Sequence, residues 1–211
     1  MIEKESLKDT NIENSNTYPQ NAFQGIVEVI NILTLAFRLE NAFKENLIDE
    51  QAFTKSILID SKKGMGINES TFDRQKLEIQ FRNLVLSNIG TLTIAIDTAL
   101  DATFKSKNPD GTDSINCLRN VFYMLRCAFA HDPIHPKWDI KEKYQKTYKV
   151  IILKEIMQKI SNNRVSAEIS FEFNFKALSE RYKKTVLFED FYGIDGLINL
   201  SLYAVNLTES I

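Results

Sequence analysis

Arg126 and His131 are the two residues of this sequence whose types and spacing suggest chemistry. A guanidinium is a permanent planar donor set for phosphate oxygens, and an imidazole exchanges a proton near neutral pH. Cleavage of RNA by its own 2′-hydroxyl needs both functions and no metal ion. Residues 125–133 therefore raise the hypothesis of a phosphodiester site, against the simpler interpretation of a surface arginine and a helix-capping histidine.

The segment that carries both residues has the periodicity of an amphipathic helix. At about 100° per residue, one stripe is apolar and is expected to face the core; its members are Leu118, Val121, Phe122, Leu125 and Phe129. The remaining arc is polar and consists of Arg119, Asn120, Tyr123, Arg126, Cys127 and His131. On a regular helix Arg126 and His131 diverge by about 140° and their backbones lie roughly 9 Å apart, so they would converge only on a phosphate across this arc.

The nine residues 125–133, Leu-Arg-Cys-Ala-Phe-Ala-His-Asp-Pro, resemble the Arg-x4-6-His motif of the HEPN superfamily. The long apolar segment before it, residues 69–104, is similar to that family's arrangement. The resemblance implies a HEPN-like helical bundle, usually a dimer with a composite site at its cleft. Many members are metal-independent ribonucleases, and others are toxins or non-catalytic RNA-binding proteins. It further implies that Arg126 organises the scissile phosphate and that His131 transfers a proton or positions the 2′-hydroxyl.

Four further residues are candidates for substrate binding. Arg119, Asn120 and Tyr123 share the polar arc with Arg126. Tyr123 and Trp138 can stack on an unpaired base, although packing in the core is the alternative for both.

Asp97 and Asp132 are candidates for a supporting role. Asp97 interrupts the apolar run of residues 92–100, and a carboxylate in such a run normally needs a partner. We expect it to pair with Arg119 or Arg126, unless it faces water on a polar stripe. Asp132 follows His131 directly.

No metal or cofactor is expected from the motifs. The chain has only two histidines and no paired thiolates, so a zinc site at His131 and His135 would need distant carboxylates. Cys127 lacks a base and an orienting group for a nucleophilic role. The sequence also has no Walker-type glycine loop, dinucleotide fingerprint or serine nucleophile elbow.

Composition sets the wider expectations. The 211 residues are 44% hydrophobic, which predicts a single domain over residues 19–211 after a flexible polar tail at residues 1–18. Because the net charge is -2, binding to RNA would require a locally basic cleft. Cys117 and Cys127 are too far apart on one helix for a disulfide. With no signal-peptide pattern in the first 21 residues, we expect a cytoplasmic protein without membrane association.

Local patterns predict a mainly α fold with a small antiparallel β pair in the C-terminal third. Helices are expected at residues 19–46, 49–59, from Ser70 or Thr71 to 104 with a kink at Gly90, from Asp113 or Ser114 to 131, and 194–207. The alternating run at 165–176 predicts a strand that pairs with residues 148–153, joined by a short helix or loop at 154–163. Loops are expected at residues 62–66 and 107–113.

These observations lead to two functional hypotheses. The first is a homodimeric, metal-independent endoribonuclease of HEPN type, acting as a toxin or defence component and partnered by an antitoxin protein. The alternative is a non-catalytic HEPN-like module that binds RNA, a nucleotide or a partner protein.

Overall fold

The computed structural model describes residues 18–49, 51–54, 57–60, 65–67, 73–104, 107–161 and 167–209. These parts are mainly helical and include an antiparallel strand pair in the C-terminal part, which confirms the predicted fold class. The α-helices are α1 (Tyr18–Lys44), α2 (Gln51–Thr54), α3 (Arg74–Thr103), α4 (Ser114–Ala130), α5 (Lys154–Ser161), α6 (Phe175–Glu180) and α7 (Gly193–Glu209). The strands are β1 (Ile57–Asp60), β2 (Met65–Ile67), β3 (Thr147–Ile152) and β4 (Ile169–Asn174). Short 3-10 helices cover Glu142–Tyr144, Tyr182–Lys184 and Phe188–Phe191.

Helix α3 is the centre of the fold and packs against α1, α4 and α7. Its N-terminus is capped by Asp73, whose carboxylate accepts a hydrogen bond from the Lys76 amide at 2.9 Å. The predicted caps, Ser70 and Thr71, lie outside the described residues. The end of α1 lies beside the start of α3, because Phe43, Leu77 and Phe81 form one buried cluster.

Helix α3 continues through Gly90 to Thr103 as one element, and the kink at Gly90 stays a prediction. Gly90 allows a close approach between α3 and the end of α4. A Cβ atom at this position would lie 3.3 Å from Pro133 Cβ and 3.5 Å from Phe129 Cβ. Pro133, three residues after the end of α4, is therefore held against the middle of α3.

Replacement of Gly90 by valine is expected to destabilise the fold by about 1–3 kcal/mol, because extra methyl groups would overpack this contact. The measurement is the free energy of unfolding in urea. Gly25→Val in α1 is the matched control, since a Cβ at Gly25 would meet no atom within 4 Å. Equal effects of the two substitutions would show that the approach of α4 to Gly90 is not tight.

Helix α4 begins and ends as its sequence predicts. The Asp113 carboxylate accepts hydrogen bonds from the side-chain Nδ2 and the backbone N–H of Asn116, and these bonds lower the pKa of Asp113. His131 is the C-terminal cap. The apolar stripe forms part of the core, with 0–1% exposure for Leu118, Val121, Phe122, Leu125 and Phe129.

The C-terminal β pair is also confirmed. β3 and β4 are antiparallel, with Tyr148 opposite Phe173 and Val150 opposite Phe171, and these four side chains are buried. Of the strand predicted at residues 165–176, residues 165–166 lie outside the described ranges. Residues 175–176 begin α6 instead, because the Asn174 side chain caps that helix. β3 packs against α4, α5 joins the two strands, and α7 closes the chain against α3.

The region between α1 and α3 differs from its prediction. The predicted helix at residues 49–59 is wrong at residues 57–59, because Ile57–Asp60 forms a strand that pairs antiparallel with Met65–Ile67. The predicted loop at 62–66 accordingly loses its last two residues to β2. Runs rich in isoleucine favour strands once a partner strand is available, and that pairing is not visible in helical periodicity. The predicted tail lies outside the described residues, apart from Tyr18, which begins α1.

The loop before α4 is fastened to the β pair by Tyr148. Its phenol donates a hydrogen bond to the Pro109 carbonyl at 3.0 Å, and burial raises the pKa of Tyr148 to about 12. Because this pKa is above the unfolded-state value, the stability that the neutral phenol contributes is present below about pH 10 and is lost as the pH rises from there towards 12.

We therefore expect the free energy of unfolding to fall between pH 10 and about 12, and to fall less steeply in Tyr148→Phe. Denaturant titrations of both proteins at several alkaline pH values measure the two slopes. Identical slopes would mean that Tyr148 is not protected from ionisation in the folded state.

Candidate functional site

The site begins with a fully buried carboxylate on α3. Asp97 has 0% exposure, and its Oδ2 lies 2.8 Å from Arg126 Nη1 of α4. Its Oδ1 lies 2.9 Å from Lys107 Nζ, in the connection between α3 and α4. Neither oxygen has the angles of a hydrogen bond, so the attraction is mainly coulombic. The predicted partner of Asp97 is thus confirmed as Arg126, and Arg119 is not its partner in these contacts.

A second carboxylate lies one helical turn further along α3. Asp101 Oδ2 is 2.7 Å from Lys107 Nζ, and its Oδ1 is 3.3 Å from Arg119 Nη2. Burial opposes the ionisation of Asp101, but the two cations outweigh it and hold its pKa below the ordinary value. Lys107 therefore bridges both carboxylates of α3.

This group of five charged side chains has a surplus of one positive charge. Two carboxylates, Asp97 and Asp101, contact three cations, Lys107, Arg119 and Arg126. Lys107 and Arg119 are 13% and 5% exposed, whereas Arg126 is 38% exposed. The surplus charge is therefore accessible at Arg126. This residue contacts Asp97 through one nitrogen, and its other N–H groups can bind an anion.

Tyr123 lies beside the two cations that contact Asp97. Its ring centroid is 4.6 Å from Lys107 Nζ and 5.3 Å from Arg126 Cζ, within the range of cation–π contacts. The ring of Tyr144 packs on it at 5.2 Å. Burial, followed by the neighbouring Cys127 thiol, raises the pKa of Tyr123, so it is a neutral phenol at neutral pH. Tyr123 is half-buried, and this leaves part of its surface for a ligand.

His131 is exposed at the end of α4. Its side chain makes no hydrogen bond or ion pair within the described parts of the chain, so it is not bonded to Arg126. The end of α4 lies beside Gly90, whereas Arg126 reaches Asp97, seven residues or roughly 10 Å further along α3. Within one chain, the structure does not bring the two predicted catalytic side chains together.

Asp132 organises the loop that follows α4. Its carboxylate accepts hydrogen bonds from the amides of Ile134 and His135, at 3.1 and 3.0 Å, and contacts His135 Nδ1 at 3.1 Å. The amide of His135 is the main cause of the lowered pKa of Asp132. The predicted supporting role is therefore seen as a contact with the loop, away from Arg126.

Trp138 does not belong to a substrate-binding surface. It is 1% exposed, its ring packs against Phe175 at 5.5 Å, and its Nε1 donates to Asp190 at 2.9 Å. The same carboxylate binds Arg181 through both guanidinium Nη atoms, at 2.7 and 2.6 Å. The prediction that Trp138 stacks on a base is wrong, because the indole is a core residue whose polar atom is satisfied inside.

Arg119 and Asn120 are also inside the fold, against the prediction that they line a binding surface. Asn120 is 0% exposed and donates a hydrogen bond from Nδ2 to the Asn108 carbonyl at 2.9 Å. Arg119 is buried and donates to the Phe104 carbonyl at 3.3 Å. Both are buried because α4 packs against α3 and β3 at once, so that more than its apolar stripe is covered.

Sequence reasoning missed Asp101, one helical turn beyond Asp97, and it also missed Lys107. Lys107 falls at the start of the predicted loop 107–113, where a lysine is ordinarily solvated. The available signal was Asp97 itself, since a buried carboxylate with two oxygens can accept two cations. A lysine shortly after the same helix was a candidate for the second.

Two further observations limit the chemistry. In the described ranges, no three His, Cys, Asp or Glu side chains come together in a way that could hold a metal ion. A cleft of about 300 Å³ lies between residues 109–112 and the start of β3, and neither Arg126 nor His131 lines it. The candidate site is therefore the surface around Arg126 and Tyr123.

Helix α3 meets, by length and composition alone, the criterion for a membrane-spanning helix. A core helix of a water-soluble protein meets the same criterion. In this fold 44% of its most apolar window is buried, and it carries Asp97 inside the protein. This property is weak support for membrane association.

The fold and the site together define a mainly helical protein with a small antiparallel β pair, in which a buried carboxylate holds a partly exposed arginine. Comparison of the chain with known protein families, with curated proteins and with solved structures finds no match.

Proposed function

We propose that this protein is a metal-independent endoribonuclease of HEPN type that acts as a toxin or defence component in the cytoplasm. The observation that carries the proposal is Arg126, which Asp97 holds at the surface of α4 with 38% of its side chain exposed. An arginine fixed in this way is preorganised for a phosphate, because less side-chain freedom is lost when the anion binds.

The proposed roles follow from the chemistry of the groups. Arg126 grips the scissile phosphate with the donors that Asp97 does not use, and the surplus positive charge stabilises the developing negative charge. His131, exposed and without a partner in the described structure, exchanges the proton between the 2′-hydroxyl and the leaving oxygen. No metal or cofactor takes part in this scheme.

A second copy of the chain completes the proposed site, because Arg126 and His131 of one copy make no contact. Helix α3 has three large apolar side chains that are 43–51% exposed, namely Ile79, Leu84 and Ile94. At about 100° per residue they fall within an arc of roughly 140°, so they can contribute to one interface. A homodimer formed there would bring two Arg126 residues and two His131 residues into one assembly.

Incubation of the purified protein with RNA in the presence of EDTA tests the proposal. The expected result is cleavage that leaves a 2′,3′-cyclic phosphate or its hydrolysis product, because the internal 2′-hydroxyl is the nucleophile. Cleavage that EDTA abolishes, or products with free 3′-hydroxyl ends, would contradict it.

The dimer is tested separately by sedimentation at micromolar concentration. We expect a dimeric mass for the wild-type chain and a monomeric mass for Ile94→Glu, since a buried unpaired charge would oppose association. Gln158→Glu, an equal change of charge at an exposed position of α5 and away from this face of α3, is the control and should leave the dimer intact. A wild-type monomer that cleaves RNA would rule out the composite site.

The separation of Arg126 and His131 favours a second candidate function. An arginine held by Asp97, without a general acid or base beside it, suits binding without cleavage. In that case the protein is a non-catalytic module for RNA, a nucleotide or a partner protein such as an antitoxin. Binding of RNA with no cleavage by a folded dimer would select this function.

A further inference from the structure

The charge of this protein is unevenly distributed along the chain. Residues 137–184 contain twelve Lys and Arg but six Asp and Glu, whereas the whole chain has a formal charge of -2. Residues 137–184 are therefore basic and the rest of the protein is acidic. A protein with this pattern can attract a polyanion locally while its net charge does not.

The fold brings two lysine-bearing loops of this region together. The Trp138 amide donates to the Lys184 carbonyl at 2.7 Å, and the Val186 amide donates to the Pro136 carbonyl at 3.1 Å. Lys137 forms an antiparallel bridge with Thr185. We call the exposed residues Lys137, Lys141, Lys143 and Lys184 the lysine surface.

The lysine surface adjoins the end of the helix that carries Arg126. The Lys137 amide donates to the Ala128 carbonyl in the last turn of α4 at 3.2 Å, which places this loop beside the helix that carries Arg126. On the other side, Lys143 Nζ lies 5.2 Å from the Tyr144 ring, which packs on Tyr123. The lysines are thus linked to Arg126 through the buried ring of Tyr144 and the half-buried ring of Tyr123.

Nearby acids only partly offset this charge. Asp139 and Glu142 are exposed on the same loop as three of the lysines. Glu180 and Glu189 are exposed on the segment that carries Lys184, where Lys183 is a further exposed lysine. Asp190, which lies below the loop, is already bound by Arg181 and by the Trp138 indole. The lysine surface therefore keeps a positive surplus next to the surplus at Arg126.

We propose that the lysine surface binds the backbone of a single-stranded RNA whose phosphate and base reach Arg126 and Tyr123. This inference rests on the proposed function and names its substrate class. Lysines contact successive phosphates without reading sequence, and the half-buried Tyr123 ring offers a stacking surface to one unpaired base. An anionic membrane or an acidic protein would use the lysines but would gain nothing from Tyr123.

The test measures binding of a fluorescent twelve-nucleotide oligouridylate to His131→Ala, which removes cleavage from the readout. In one variant the four lysines of the lysine surface are also replaced by alanine. We expect its affinity at about 0.1 M salt to fall at least tenfold, and the slope of log affinity against log salt to become shallower by about 3.

The matched control removes four exposed lysines from other elements, Lys76, Lys149, Lys154 and Lys159. It has the same net charge as the first variant and is expected to keep its affinity within about threefold. Equal losses in both variants would overturn the inference, because binding would then depend on net charge alone. Tyr123→Leu, added to His131→Ala, should weaken the oligonucleotide but not vesicles that contain phosphatidylserine.

The outcomes separate this inference from the proposed function. Binding that depends on the lysine surface, without cleavage by the wild-type protein in EDTA, would support the inference and overturn the ribonuclease. Cleavage with an unchanged kcat/KM after replacement of the four lysines would support the ribonuclease and overturn the inference. Vesicle binding that needs the same lysines, with no binding of the oligonucleotide, would identify a membrane-binding surface and overturn the proposal that the lysine surface binds RNA.

Discussion

His131→Ala is expected to slow the cleavage of RNA in EDTA by about 10²–10⁴-fold, the usual effect of losing a general acid or base. Because the His131 side chain is exposed and has no hydrogen bond or ion pair in the described structure, the free energy of unfolding should change by less than about 0.5 kcal/mol. Single-turnover cleavage rates and denaturant titrations measure the two quantities. The combination of a large kinetic effect and a small stability effect distinguishes a catalytic residue from a structural one.

His135 provides the matched control, since it is the other histidine of the chain. Its side chain is 77% exposed and contacts Asp132, away from Arg126. His135→Ala should therefore cleave RNA at close to the wild-type rate. Loss of cleavage in His135→Ala, with full activity in His131→Ala, would show that the histidine of the motif has been misassigned.

Asp97→Ala is expected to destabilise the protein by about 3–5 kcal/mol, because removal of one partner strands the charges that a buried ion pair had compensated. Asp97 is 0% exposed and is in contact with both Lys107 and Arg126. In this variant Lys107, which is only 13% exposed, would keep its ion pair with Asp101 but lose the one with Asp97. The prediction is measured by urea unfolding at neutral pH.

Two comparisons make this prediction specific. Asp101→Ala should cost less than Asp97→Ala, because the Asp101 side chain is 44% exposed and its ion pairs are screened by water. Arg126→Ala should also cost less, since Asp97 would still face Lys107. A cost below about 1 kcal/mol for Asp97→Ala would mean that the charges around it are solvated and not held.

Asp97→Asn examines the link from this stability to activity. Asparagine keeps the shape of the side chain but gives Arg126 no charge to pair with, so the guanidinium should lose its fixed position. We expect the cleavage rate to fall by about tenfold to a hundredfold in protein that is still folded. Unchanged cleavage would show that Asp97 stabilises the fold and does not position Arg126.

Much of the local structure could be predicted from the sequence because it depends on neighbouring residues. The order of apolar side chains shows the 3.6-residue periodicity of α1, α3 and α4. It also shows the two-residue period of β4. The Asp113 cap and the buried stripe of α4 follow from the same local rules. The sequence could not decide whether Arg119 or Arg126 pairs with Asp97, because spacing along a helix shows which residues share a face but not which other helix packs against that face.

The tertiary structure decided which polar residues remain accessible. Arg119, Asn120 and Trp138 belong to polar or aromatic positions of the sequence, yet packing of α4 between α3 and β3, and of residue 138 over Phe175, buries all three. Burial depends on elements that are distant in sequence, so helical projection cannot report it. The same holds for Lys107 and for the lysine surface, whose members are brought together by contacts between residues 137–138 and 184–185. The sequence by itself determined the helices, the β pair and the arginine–histidine spacing. Only the folded chain, which brings residues distant in sequence into one place, determined which of these side chains meets water, which meets a counter-charge, and where the excess positive charge lies.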